Sequence, residues 1–221
     1  MFEEIMTVLF DFDGTLVQLN LDFPRIYNAL YQLMTEYGLD STPYKDLYLV
    51  ELIEEATSEL KGINHARATQ FNGRAEGILR AHEIQEADKA KIIPGAPKTL
   101  EELKSMGLKI GIITRNCREA VERALRRGNF LYDLLSTRDD VRPVKPEPQS
   151  LQAALRTLKS KPSQALMVGD HPMDIIAGKR AGTGTVALLS GKKKEEDFAD
   201  VRPDLILSQV SDLVGYFKNE K

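Results

Sequence analysis

Short apolar runs alternate with amphipathic stretches along most of this chain, and the two periods mark out its elements. Val8-Leu9-Phe10 is a run of the kind found in strands buried on both faces. After Leu16 the pattern turns helical. Asp22 caps a predicted helix over 22–37, with Ile26, Leu30, Leu33 and Met34 on one face and Gly38 ending it. Pro43 takes the first position of a second helix, whose apolar face is Leu47, Val50, Leu52 and Ile53 and which Lys61-Gly62 closes. A third helix is predicted over 63–82, and no strand signal falls between Leu19 and Ala90. Pro94-Gly95 ends this stretch. Helix 99–106 and strand 108–113 follow, then helix 117–127 and a short strand at 134–136. Pro143, Pro146 and Pro148 forbid a helix before Gln149, after which Leu151, Ala154, Leu155 and Leu158 form an amphipathic face. Strand 165–168, helix 174–181, strands 185–189 and 205–207 and helix 210–217 complete the order. Such alternation predicts an α/β fold with a doubly wound, Rossmann-like parallel sheet. The helical stretch is too long for a plain crossover, so it is expected to form an inserted all-helical cap domain. The predicted division is a core of 1–18 and 91–221 and a cap of 19–90.

Composition narrows the function classes. The chain has 221 residues, 42% hydrophobic and 29% charged, with a net charge of −3 spread without blocks, which suits a globular protein and gives no footprint for nucleic acid or membrane. The run Lys192-Lys193-Lys194 is answered at once by Glu195, Glu196 and Asp197, and reads as a solvated loop or a helix start. Cys117 is the only cysteine, so no internal disulfide can form. There is no leader pattern and no stretch of membrane-spanning length, and a cytoplasmic protein is expected.

The chemistry gathers at predicted strand ends. Asp11 follows the first strand, with Asp13 two residues on and Gly14 breaking the strand. In an open parallel sheet the ligand crevice lies outside the carboxyl ends of the strands. A strand followed by a plain Asp-Gly turn is the alternative. Residues 7–16, Thr-Val-Leu-Phe-Asp-Phe-Asp-Gly-Thr-Leu, resemble motif I of the haloacid dehalogenase superfamily of phosphohydrolases and phosphotransferases. Thr114, directly after strand 108–113, resembles motif II, and Asn116 and the next helix start can add anion donors. The direction of Arg115, towards the cap or towards water, stays open. Lys145, between prolines in Val-Lys-Pro-Glu-Pro, resembles motif III, with a solvated loop lysine as the alternative. Gly169-Asp170, followed four residues later by Asp174, resembles motif IV. Three carboxylates turned to one crevice repel unless a cation joins them, and all-oxygen ligands suit Mg²⁺. His65, His82 and His171 have no zinc spacing. His171 reads as a support behind the ligands or as a helix cap.

The resemblance implies a two-step phosphoryl transfer. Asp11 is the nucleophile and forms an aspartyl-phosphate, and Asp13 is the general acid/base. Gly14, Thr114, Asn116 and Lys145 bind the phosphoryl group. Mg²⁺ is held by Asp11, Asp170 and the carbonyl of Asp13, with Asp174 orienting metal-bound water or completing the ligand set. A haloacid dehalogenase needs no carboxylate at position 13, so Asp13 argues against that reaction. A phosphonatase using Lys45 or Lys61, a sugar-phosphate mutase and a non-catalytic phosphate-binding module are the alternatives to a small-molecule phosphomonoesterase, with phosphoglycolate phosphatases the nearest look-alike. Specificity is expected from Arg25, Lys45, Arg67 and Arg74 in the cap, best placed in a loop over 61–67, and from Gln18 and Asn20 near the hinge. Cap closure would expel water from the site. A monomer or homodimer fits equally well.

Overall fold

The computed structural model describes residues 4–190 and 193–219. Its contacts divide the chain into two compact units, Asn20–Asp88 and the remainder on either side.

The larger unit is built on strands β1 (Thr7–Phe10), β4 (Lys109–Ile113), β5 (Leu134–Ser136), β6 (Ala165–Gly169), β7 (Gly184–Leu188) and β8 (Leu205–Leu207), with β2 (Val17–Gln18) and β3 (Lys91–Ile92) standing apart as a small antiparallel pair. The main sheet has the order β5-β4-β1-β6-β7-β8 and every pairing in it is parallel. Val8, Leu9 and Phe10 are fully buried, as are Ile110, Ile112 and Ile113 beside them and Ala165 to Val168 on the other side. Each large side chain removed from water in this way contributes about 1.5–3 kcal/mol, so the central strands are the best-determined part of the fold. Phe10 is in register with both Ile112 and Val168, which sets the carboxyl ends of β1, β4 and β6 side by side. The chain runs outward from β1 to β5 and then returns to β6 on the opposite side of β1. Asp11 and Asp170 therefore flank the switch point of the sheet.

The smaller unit is helical: α1 (Phe23–Glu36), α2 (Leu49–Ile63) and α3 (His65–Ala87). Asp22 caps α1 as predicted, its Oδ1 accepting from Arg25 N at 3.1 Å. Three expectations are corrected here. Pro43 does not open α2 but lies in a 3₁₀ turn, Thr42–Tyr44. Asp40 shapes that turn by accepting from both the N–H and the hydroxyl of Thr42, at 2.9 and 2.8 Å. Gly62 does not end α2, and there is no loop over 61–67. Asn64 alone interrupts the helices, extended at φ −156°, with its Oδ1 capping α3 at Arg67 N (3.0 Å). Finally, α3 runs past His82 to Ala87.

In the larger unit α4 (Ala96–Ser105), α5 (Arg118–Leu125), α6 (Gln149–Thr157), α7 (Pro172–Ala181) and α8 (Asp212–Asn219) follow, each within a few residues of its predicted place. The pair β2–β3 has no counterpart in the sequence reading, because two-residue strands carry no period. On one face Leu151, Leu155 and Leu158 of the α6 region pack with Leu9, Ile113 and Met167 of the sheet. Of the basic run, Lys192 lies outside the described residues, and Glu195–Phe198 forms a 3₁₀ turn. No helix among the described residues is long and apolar enough to cross a membrane.

Candidate active site

The carboxyl ends of β1 and β6 bring acids together. Asp11 continues β1, its N–H donating to Val168 O at 2.8 Å, and its side chain is 14% exposed. Carboxylate oxygens of Asp11, Asp170 and Asp174 all lie within 4.8 Å of one another. Two glycines make this crowding possible. Gly14 stands at φ +87°, and a Cβ there would overlap the Asp170 carboxylate; a Cβ at Gly169 would overlap that of Asp174.

Lys145 joins the group from the proline-rich segment. Its Nζ donates to Asp11 Oδ1 at 2.6 Å and to Asp174 Oδ1 at 2.7 Å, while the residue is only 1% exposed. The sequence alternative of a solvated loop lysine is thereby excluded. Asp174 also accepts from His171 N through Oδ2, at 3.1 Å. His171 caps α7 in turn, its Nδ1 accepting from Met173 N at 3.2 Å, so the helix begins at Pro172 rather than at Asp174. Both oxygens of Asp174 are therefore held.

The electrostatics record the strain of this arrangement. Burial raises Asp170 to about 8, helped by the charges of Asp11, Asp174 and Asp13. Burial also raises Asp11, to about 6, with Lys145 pulling it down and Asp174 pushing it up. For Lys145 burial acts against the charge, but Asp11 and Asp174 override it and hold the ammonium above its ordinary range. Burial and the nearby charge of Lys193 lower His171 to about 4, which leaves a neutral ring able to accept at Nδ1. Buried acids that repel one another, all oxygen and with side-chain room kept clear by glycine, are a donor set that a hard divalent cation fits. Gly14→Ala should remove that room: we expect Asp170 to be displaced, and thermal titration with Mg²⁺ to show a midpoint shift at least halved relative to wild type.

The other motif residues fall around this centre. Asp13 is half-buried, its Oδ1 accepting from Leu19 N at 2.7 Å. Gly14 O accepts from Ser190 Oγ at 2.6 Å, a contact that no local pattern announced. Thr114 follows β4, its N–H donating to Ser136 O at 2.9 Å, and its hydroxyl accepts from Asn116 N at 3.2 Å. Among the described residues, Asn116 Nδ2 is buried without a hydrogen-bond partner. A buried amide donor is costly unless something accepts from it, so this atom is ready for an anionic oxygen. Arg115 has a partner in the core: its Nη1 donates to Lys145 O at 2.6 Å. Arg138, buried at the end of β5, was not singled out by sequence; its only signal is its place just past a strand end.

Within the helical unit, Arg67 and Arg74 gather on Tyr37. Their guanidinium carbons lie 5.6 and 5.8 Å from the ring centroid, Arg67 Nη2 donates to Tyr37 O at 2.8 Å, and Arg74 pairs with Glu36 at 2.7 Å. Arg25 and Lys45 are exposed.

Comparison with known proteins agrees with this picture. The sequence model of the haloacid dehalogenase-like hydrolases matches residues 8–188. Pyrophosphatase PpaX of Bacillus cereus is 32% identical over 215 residues, covering 96% of this chain and 95% of that protein. Among solved structures, a predicted phosphoglycolate phosphatase from Haemophilus somnus superposes with a TM-score of 0.66 at 20% identity, over 96% of this chain and 98% of that one. A phosphonoacetaldehyde hydrolase-like protein from Oleispira antarctica gives 0.68 at 16% identity, over 99% and 94%. These two share the fold, whatever their chemistry.

Proposed function

Because this chain belongs to the haloacid dehalogenase-like hydrolase family and is a phosphohydrolase, we propose that it hydrolyses a small phosphomonoester through a phospho-enzyme on Asp11. The observation that carries this reading is the buried Lys145 ammonium on Asp11 Oδ1 at 2.6 Å. An anionic nucleophile must meet an anionic phosphoryl group, and a fixed cation beside it offsets their repulsion.

In the first step an Asp11 oxygen attacks phosphorus, the bond from phosphorus to the leaving oxygen breaks, and Asp13 gives that oxygen its proton. In the second step Asp13 takes a proton from water, which attacks phosphorus and releases Asp11 and inorganic phosphate. Acid/base assistance of this kind is typically worth ~10²–10⁴ in rate. Lys145, the Thr114 hydroxyl and Asn116 Nδ2 hold the equatorial oxygens. Asp174, fixed by Lys145 and His171, keeps the lysine in place. Asp11 and Asp170, with the Asp13 carbonyl, would hold Mg²⁺, which supplies charge neutralisation at the phosphoryl oxygens when bound.

A second reading has a specific observation behind it: the near full-length similarity to a pyrophosphatase favours inorganic pyrophosphate as substrate. Only the leaving group differs, phosphate in place of an alcohol. Phosphate release should be measured from a panel of small phosphomonoesters and pyrophosphate, with Mg²⁺ and with chelator. The ranking chooses between the readings. Borohydride added during turnover of the wild-type chain should convert residue 11, and no other aspartate, to homoserine. Turnover without any such trapped product at position 11 would remove the covalent step.

A further inference from the structure

The segment that carries Lys145 is difficult to hold. Pro143, Pro146 and Pro148 have no N–H, so the segment offers carbonyls but few donors, and it joins no strand. A single local turn, Glu147 N–H to Val144 O at 3.0 Å, closes on itself. Yet Lys145 Nζ has to meet two carboxylates on different elements at hydrogen-bond distance. A donor from elsewhere must fix the backbone.

Arg115 supplies it. Its Nη1 donates to the Lys145 carbonyl at 2.6 Å and lies 3.5 Å from Met173 Sδ, in the first turn of α7 beside Asp174. Arg115 is also the residue directly after Thr114, so one guanidinium ties the end of β4 to the lysine segment. The carbonyl of Arg115 accepts in turn from Arg138 Nη1 at 3.0 Å, and Arg138 N donates to Asn116 O at 3.3 Å. Arg138 is 1% exposed and comes from the end of β5. The links therefore run from β5 through the segment after β4 to Lys145, and from Lys145 to β1 and α7. A guanidinium suits the task because its donors are fixed in a plane and it stays charged at any working pH.

We infer that Arg115, braced by Arg138, is a positioning residue for Lys145: it sets where the ammonium stands without itself touching substrate. The inference rests on reading Lys145 as the group that holds the phosphoryl oxygens. Its structural half can be tested without turnover. In protein labelled with ¹⁵N-lysine, the Lys145 ammonium gives a cross-peak identified by its loss in Lys145→Met. That peak should be sharp in wild type and broadened or lost in Arg115→Met. Arg115→Lys, which keeps the charge but not the planar fork, should behave like Arg115→Met, and it carries the test if Arg115→Met does not fold. On the best compound of the panel, kcat should fall about 10–100-fold in either variant while KM stays within about threefold. An unmoved Lys145 peak in a folded variant overturns the inference. So does a KM raised tenfold or more at unchanged kcat, which would make Arg115 a substrate contact. If nothing in the panel turns over even in wild type, the proposed function fails on its own account, and the lysine peak still decides the role of Arg115.

Discussion

Asp11→Asn is expected to lower phosphate release by ~10⁴-fold or more, on the scale seen when a covalent nucleophile is removed, and to leave the fold standing. The amide nearly matches the carboxylate in shape and cannot form an acyl phosphate. The structure also says why folding should survive. Asp11 is one of several mutually repelling acids, and burial together with Asp174 already drives its carboxyl up to about 6 against the pull of Lys145. Removing its charge relieves Asp170, which Asp11 helps to push up. Lys145 keeps Asp174 as its partner at 2.7 Å, so no buried cation is stranded, which is the costly way to break such a pair. The checks are phosphate release on the panel and a thermal melt followed by circular dichroism. Release within tenfold of wild type would end the assignment of Asp11 as nucleophile. A lost transition in the melt would show that the acid is structural after all.

Much of the candidate site was legible because several of its parts sit at strand ends marked by short apolar runs, Lys145 on its proline-rich segment being the exception. Asp11, Thr114 and Asp170 each follow such a run, and the parallel register then brings those ends together without further information. Direction was harder to read. Whether Arg115 faces water or Lys145 depends on a partner thirty residues away along the chain, and no local pattern encodes that. His171 reads in sequence as a support behind the ligands or as a helix cap, and its hold on Met173 N gives the cap, although histidine is not among the usual cap residues. In the helical unit Pro43 fits the first turn of an α-helix or of a 3₁₀ turn equally well, and the Asp40 side chain settles which. Gly62 is a poor helix residue by about 1 kcal/mol. It stays helical because Leu60 before it is buried and the true break, Asn64, can cap the next helix. Arg67 and Arg74 are expected from sequence to set specificity, and the structure places both on the nearby Tyr37 ring, with Arg74 paired to Glu36.

Mg²⁺ should raise the melting midpoint strongly at pH 8 and little at pH 5, and Asp170→Asn should abolish the rise. The sign follows from Asp170, whose folded carboxyl is raised from 3.8 to about 8. Between those values the native state binds a proton that the unfolded state has lost, so metal-free stability falls as pH rises. Other groups share the lower part of that window. Asp11, raised to about 6, acts in the same direction up to that pH. His171, lowered from 6.5 to about 4, acts oppositely: its contribution grows as pH rises from 4 to 6.5 and is constant above. Asp133 and Asp140, held below 3.8, lose their stabilisation only at lower pH. Asp170 is thus exposed most cleanly from about pH 6.5 to 8. Across that interval the metal-free midpoint should drop by roughly 2–6 °C, from a loss of about 1–2 kcal/mol in a chain of this size. A bound divalent cation replaces the proton and reverses the trend. Without metal, Asp170→Asn should melt higher than wild type at pH 8, flatten the fall above pH 6.5 and show no response to Mg²⁺. Scanning fluorimetry in chelator and in saturating Mg²⁺, at half-unit steps of pH, checks all of these together. A metal-free midpoint that climbs from pH 6.5 to 8, or a Mg²⁺ shift that persists in Asp170→Asn, would place the cation elsewhere than among these acids.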